Sequence, residues 1–181
     1  MLNPDARRSL LAEARESVEA AVRGVVPADT VPENPVLHRP GAAFVTIRVG
    51  GELRGCIGHL TAEQPLWISV REMAAAAATR DDRFAPVSPS ELATVSIDIS
   101  VLSPRRRLPG PEHVVIGRDG LYIRQETRSG LLLPQVAAEH KWSVEEFLAQ
   151  TCRKAGLPLD AWKDPGAIIE SFTAEVFGDS S

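Results

Sequence analysis

The sequence predicts an α+β fold, a mainly antiparallel sheet flanked by helices. Three observations predict it. An apolar period of three and four residues near the start marks an amphipathic helix, Gly50-Gly51 between two strand-forming runs marks a hairpin, and residues 94–102 alternate strictly between apolar and polar. No strand-then-helix unit recurs, so a doubly wound parallel sheet is not expected. No internal repeat or linker divides the 181 residues, which read as one domain over 1–181.

The first helix is capped by Asn3, carries Pro4 at its first position, and aligns Leu10, Leu11, Ala14, Val18, Ala21, Val22 and Val25 on one stripe up to Gly24. From Val26 to Pro40, four prolines and no periodicity predict an extended connector ordered by packing. A hairpin follows, with strands over 42–49 and 52–58 joined by the two glycines. A helix then runs over 64–79, with Leu66, Val70, Met73 and Ala77 on one stripe, and the alanines at 74–78 allow close approach to a sheet. In the strand over 94–102, Val95, Ile97, Ile99 and Val101 share one face, and Ser96, Asp98 and Ser100 the other.

Beyond a Pro- and Arg-rich loop, a second hairpin is predicted around Arg118, Asp119 and Gly120, with a further turn at Ser129-Gly130. Pro134 opens a short helix to about His140, and Ser143 with Glu146 forms a capping box for a last helix that stops at Gly156. Residues 168–177 read as a single closing strand.

Hydrophobic residues make up 44% and charged residues 24%, the ordinary balance of a globular domain. A formal charge of -4 argues against a protein whose main task is neutralising phosphate backbones, so a nucleic-acid partner is not expected. Arg105, Arg106 and Arg107 form the only basic run, and no aromatic residue interleaves it. The apolar runs are far shorter than the roughly 20 residues that cross a bilayer, and the start, Asn3-Pro4-Asp5, does not read as a secretion signal; the expectation is a cytoplasmic protein with no membrane partner. Two cysteines, Cys56 and Cys152, read as free thiols. Cys56 with His59 is half of a zinc pattern without its second pair, so no metal is expected. No phosphate loop, dinucleotide fingerprint, nucleophile elbow or cluster motif occurs, and no cofactor is expected.

The distinctive string is Leu53, Arg54, Gly55, Cys56, Ile57, Gly58. On a regular strand Arg54 and Cys56 share a face, and a guanidinium beside a thiol favours thiolate. Counting back from the Gly50-Gly51 turn sets Cys56 opposite Val45 and Arg54 opposite Ile47, unless a bulge at the glycines shifts the register. Arg54 would then lie on a largely apolar face, where its charge must reach an edge, an acid or an anionic ligand. Gly55 and Gly58 imply close approach of backbone or ligand. Two readings of Cys56 stay open: a small buried hydrophobe, or a reactive thiol. His59 falls on the opposite face and completes no dyad. Asp81, Asp82 and Arg83 occupy a loop where a carboxylate beside an arginine either orients a substrate, pairs with Arg54, or is simply solvated. Asp98 reads as an exposed residue of the polar face or as a partner of Arg54 across the sheet, Gln135 lies in a helix first turn, and His140 reads as a helix-end residue.

Residues 41–47, 53–58, 82–84, 100–104, 117–123 and 132–137 together resemble the AMMECR domain family, known in bacteria and archaea as AmmeMemoRadiSam system protein A. The resemblance spans nearly the whole chain. It implies an α+β fold with a larger and a smaller lobe and a cleft between them lined by the string. It also implies association with a radical SAM protein and a Memo-like protein. It supplies no reaction. The family pattern falls on Arg54, Gly55, Cys56 and Gly58, on Asp82, Arg83 and Phe84, and on Leu133, Pro134 and Gln135, but not on His59. The first functional expectation is therefore an enzyme or enzyme component whose ligand is an anionic small molecule or peptide group. Arg54 would clamp its charge, Cys56 would be the thiol nucleophile or a redox group, and Asp82, Arg83 and Gln135 would orient it, with Gly55 and Gly58 making room. A non-catalytic assembly module for the two partners is the alternative, and nucleotide or nucleic-acid binding comes third.

Overall fold

The structure, a computed structural model, describes residues 1–28 and 30–179. The chain forms two compact units. The first comprises Met1–Leu102 and the segment returning from Glu175, and the second Ser103–Ala174.

In the first unit, α1 (Pro4–Arg23) begins where Asn3 Oδ1 accepts from the Ala6 N–H at 2.8 Å and ends at Gly24, whose φ of 67° a residue with a Cβ resists. Leu10, Ala14 and Val18 are buried along one face of α1. The connector is not wholly extended, because Asn34 caps a single 3-10 turn at Pro35–His38 and drives Leu37 into the core. Packing does order it: Arg71 lies over the Trp67 ring at 4.7 Å and donates to the carbonyls of Ala28 and Thr30, both at 3.2 Å. Asp29 lies outside the described residues.

Strands β1 (Ala42–Val49), β2 (Glu52–Gly58), β3 (Val95–Leu102) and the returning β8 (Ala174–Gly178) form one sheet in the order β2-β1-β3-β8, so β2 is an edge. Helix α2 (Leu66–Thr79) starts two residues later than predicted, with Pro65 at its cap. Ala43, Val45 and Ile47 of β1 and Ile97 and Ile99 of β3 are buried with Val70, Ala74 and Ala77 of α2 and with the face of α1. Phe44, Thr46 and Arg48 consequently face the other way, together with Ser96, Asp98 and Ser100.

In the second unit, β4 (Arg106–Arg107), β5 (Gly120–Gln125), β6 (Arg128–Leu132) and β7 (Ile168–Phe172) pair in the order β4-β7-β5-β6. Helices α3 (Pro134–Glu139) and α4 (Val144–Lys154) keep their predicted places, and Ser143 and Glu146 form the expected capping box. Leu121, Ile123, Phe147, Leu148 and Cys152 form the core of this unit, where burial pushes the Cys152 thiol up from its ordinary pKa.

Three local expectations are corrected. The second hairpin turns after Gln125, with Glu126 at a φ of 53°, because Asp119 is used elsewhere, accepting from the Val115 N–H at 2.8 Å and pairing with Arg118. Gly130 makes no turn; it sits within β6, where a Cβ would come within 2.5 Å of the Ala155 backbone. The closing strand is two strands in different sheets, β7 and β8, parted at Thr173, whose backbone exchanges hydrogen bonds with Ser103. Among the described residues, no helix is long and apolar enough to cross a membrane.

Candidate functional site

The distinctive string is β2, and its register differs from the simple count. Val49 faces Glu52 and Arg48 faces Leu53, but Ile47 faces Gly55, Thr46 faces Cys56, and Val45 faces Ile57. Arg54 is an extra residue, a bulge with no partner on β1. Beyond it, Gly55 and Ile57 fall on the core side and Cys56 on the outer side, next to Thr46. The glycine at 55 is what the core side requires, since a Cβ there would sit 1.9 Å from the carbonyl oxygen of Ala77. The alanine-rich helix thus packs backbone against backbone on β2. At Gly58 a Cβ would strike the Phe44 ring at 2.2 Å.

The bulge frees Arg54 from the apolar face that the simple register assigns to it. Its guanidinium donates to Glu91 through two nitrogens and to the Ala85 carbonyl at 3.2 Å. Glu91 is itself the far half of a capping box, accepting from both the N–H and the hydroxyl of Ser88 at 2.8 Å. The Ser88 N–H, then Arg54 and the Ser88 hydroxyl, hold the Glu91 carboxyl down at about 2. The acid that meets Arg54 is therefore Glu91 rather than Asp82.

The 81–83 loop has another task. Cys56 lies on a free edge, and its backbone N–H and C=O both point away from β1. Asp81 Oδ2 accepts from the Cys56 N–H at 2.9 Å, and Arg83 donates to the Cys56 carbonyl at 3.3 Å. Arg83 also grips Asp81 at 2.9 and 2.7 Å, so carboxylate and guanidinium form one clamp on the strand edge. Arg83, assisted by the N–H groups of Cys56 and of Arg83 itself, holds the Asp81 carboxyl well below the usual range against the opposing effect of burial. Asp81, only 5% exposed in its side chain, is the working carboxylate, whereas Asp82 is exposed in the turn.

Cys56 itself is half-buried, and the Thr46 hydroxyl donates to its Sγ at 3.3 Å. Thr46 also lies opposite Asp98 on β3, so Cys56, Thr46 and Asp98 form a row across three strands. Asp98 pairs with Arg48, Nε to Oδ2, at 3.8 Å. His59 extends the ladder through its N–H to the Ala43 carbonyl at 3.2 Å, which keeps it on the face of Ile57, away from Cys56; its Nε2 is enclosed without a hydrogen-bond partner among the described residues. Gln135 belongs to the second unit, half-buried in the first turn of α3. That unit holds a cavity of about 440 Å³ bounded by Arg107, Pro111, Trp162 and Asp164, and none of the predicted site residues lines it. Among the described residues, no group of three or more His, Cys, Asp or Glu is placed to hold a metal ion.

Sequence reasoning missed Thr46, Arg48 and Glu91, and of the two loop carboxylates it placed Asp82 rather than Asp81 in the site. For Glu91 a signal existed: Ser88 and Glu91 at capping-box spacing just before a strand. Because Glu91 and Asp81 titrate lower folded than unfolded, their contribution is complete above the ordinary values of 4.5 and 3.8 and is lost as pH falls. Chemical denaturation is expected to show stability falling from pH 4.5 toward 2, and falling less steeply in Glu91→Gln. Parallel curves for the two proteins would contradict this account of Glu91.

A family model described as AMMECR1 matches residues 11–177. A protein of Methanothermobacter thermautotrophicus is 41% identical, over 97% of this chain and 95% of its own. One from Thermococcus gammatolerans is 44% identical, over 91% of this chain and 85% of its own. The crystal structure of an uncharacterized protein from Pyrococcus horikoshii superposes with a TM-score of 0.87 at 37% identity, covering 94% of this chain and 89% of that one.

Proposed function

As this chain belongs to the AMMECR1 family, we propose that it works as a thiol-dependent enzyme or enzyme component in which Cys56 is the nucleophile and the ligand is an anionic small molecule or peptide group. One observation carries the reading. The other distinctive residues of the string have structural work: Arg54 holds Glu91, Gly55 admits the backbone of α2, and Gly58 admits the Phe44 ring. The thiol does not. It stands half-buried on an outer sheet face, on a strand whose backbone is clamped at that very residue, with the Thr46 hydroxyl donating to its sulfur. A nucleophile held on a rigid element keeps its geometry better than one on a loop. In a component role, the protein would act beside the radical SAM and Memo-like proteins that the family resemblance implies.

The test is alkylation of Cys56 by iodoacetamide in the folded Cys152→Ser protein, located by peptide mass analysis. Reaction in the native state at a rate within about tenfold of a free cysteine supports the reading. A thiol that stays inert until denaturant is added overturns it and favours the non-catalytic assembly module instead.

A further inference from the structure

We infer that Arg48, tethered by Asp98, is the group that binds the negative charge of the substrate attacked by Cys56. This rests on Cys56 being the nucleophile proposed above. The register places the residues: Thr46 lies opposite Cys56 on one side and Asp98 on the other, and Arg48, two residues along β1, shares their outer face. Diagonal neighbours on adjacent strands stand about 7–8 Å apart, within reach of an arginine side chain. Arg48 is therefore a guanidinium on the face of the thiol, the place that a regular strand assigns to Arg54.

The ion pairs separate the arginines further. Arg54 is bound to both oxygens of Glu91 and to a carbonyl, and Arg83 grips Asp81 by two bonds of 2.9 and 2.7 Å. Arg48 meets Asp98 through one long contact of 3.8 Å, with the side chains 44% and 33% exposed. A carboxylate that accepts two guanidinium N–H groups out-competes such a contact. Asp98 lies close against β8, its Oδ1 2.0 Å from where a Cβ on Gly178 would stand, which leaves Arg48 as the partner with room to move.

The substrate class that fits is an electrophile that carries a carboxylate near its reacting carbon, so that the thiol and Arg48 engage it together. Cys56 releases its thiol proton to water, a sulfur lone pair forms the S–C bond, and the leaving group departs with the electron pair of the bond that breaks. No electrons enter or leave the system.

Iodoacetate and iodoacetamide, nearly equal in size and different in charge, test this in the Cys152→Ser background at low ionic strength. Arg48→Gln is expected to lower the iodoacetate rate about three- to tenfold relative to the iodoacetamide rate, and Asp98→Asn to raise that ratio. Added salt is expected to narrow the differences. A ratio unchanged in Arg48→Gln, or one that falls in Arg54→Gln instead, overturns the assignment while iodoacetamide reactivity keeps Cys56 as nucleophile. Failure of both reagents in the native protein removes the nucleophile and this inference with it.

Discussion

Gly55→Ala is expected to destabilise the protein by about 3 kcal/mol, lowering the thermal midpoint by roughly 6–12 °C. The reason is geometric. The new Cβ would sit 1.9 Å from a backbone oxygen, that of Ala77, and no side chain stands between them to rotate away. Either α2 lifts from β2, opening the layer where Val70 and Ala74 are buried, or β2 bends at the residue before Cys56. The control is Gly51→Ala in the hairpin turn, where nothing lies within 4 Å and only a φ of 89° opposes a Cβ; its cost is expected to be about 1 kcal/mol. Equal losses in the two variants would show that the helix does not press on the strand there.

The second large effect is expected of Asp81→Asn, about 2–3 kcal/mol, with Asp82→Asn within about 0.5 kcal/mol of wild type. The two neighbouring carboxylates differ only in where the loop turns them. Asp81 is buried, bound to both the guanidinium of Arg83 and the N–H of Cys56; Asp82 is exposed. An amide at position 81 loses the charge that holds Arg83 and weakens the bond to Cys56, so the strand edge is released on both sides. Chemical denaturation measures the cost. Amide exchange localises it, with the Cys56 N–H expected to lose protection first. A loss in Asp82→Asn equal to that in Asp81→Asn would break the clamp description.

Most of the first unit's architecture was legible because the signals are local. Asn3, Pro4 and Gly24 bound α1, the alternation over 94–102 assigns the faces of β3, and the alanine-rich helix packs closely on a sheet, as its side chains predict. In the second unit, Glu126 turns a hairpin without glycine, and Gly130 serves packing where a turn was read, so residue type misled at both positions. The string and the loop single out Cys56 and Arg83 as candidates. Choosing between Asp81 and Asp82 could not be done from residue type, since the two are chemically identical and adjacent.

The sequence by itself determined the α+β class, the order of helix, hairpin, helix and strand up to residue 102, the family, and the thiol on a glycine-flanked strand. Tertiary structure alone decided which charges meet. One extra residue at Arg54 shifts the pairing by one position, and because strand side chains alternate with a period of two, that shift sets Cys56 beside Thr46 rather than Val45. Glu91 reaches Arg54 across 37 residues and Asp81 reaches Cys56 across 25, contacts that no local pattern encodes. They exist because an edge strand leaves backbone groups unpaired and a displaced arginine leaves a charge unpaired, and the fold brings the nearest suitable partner to each.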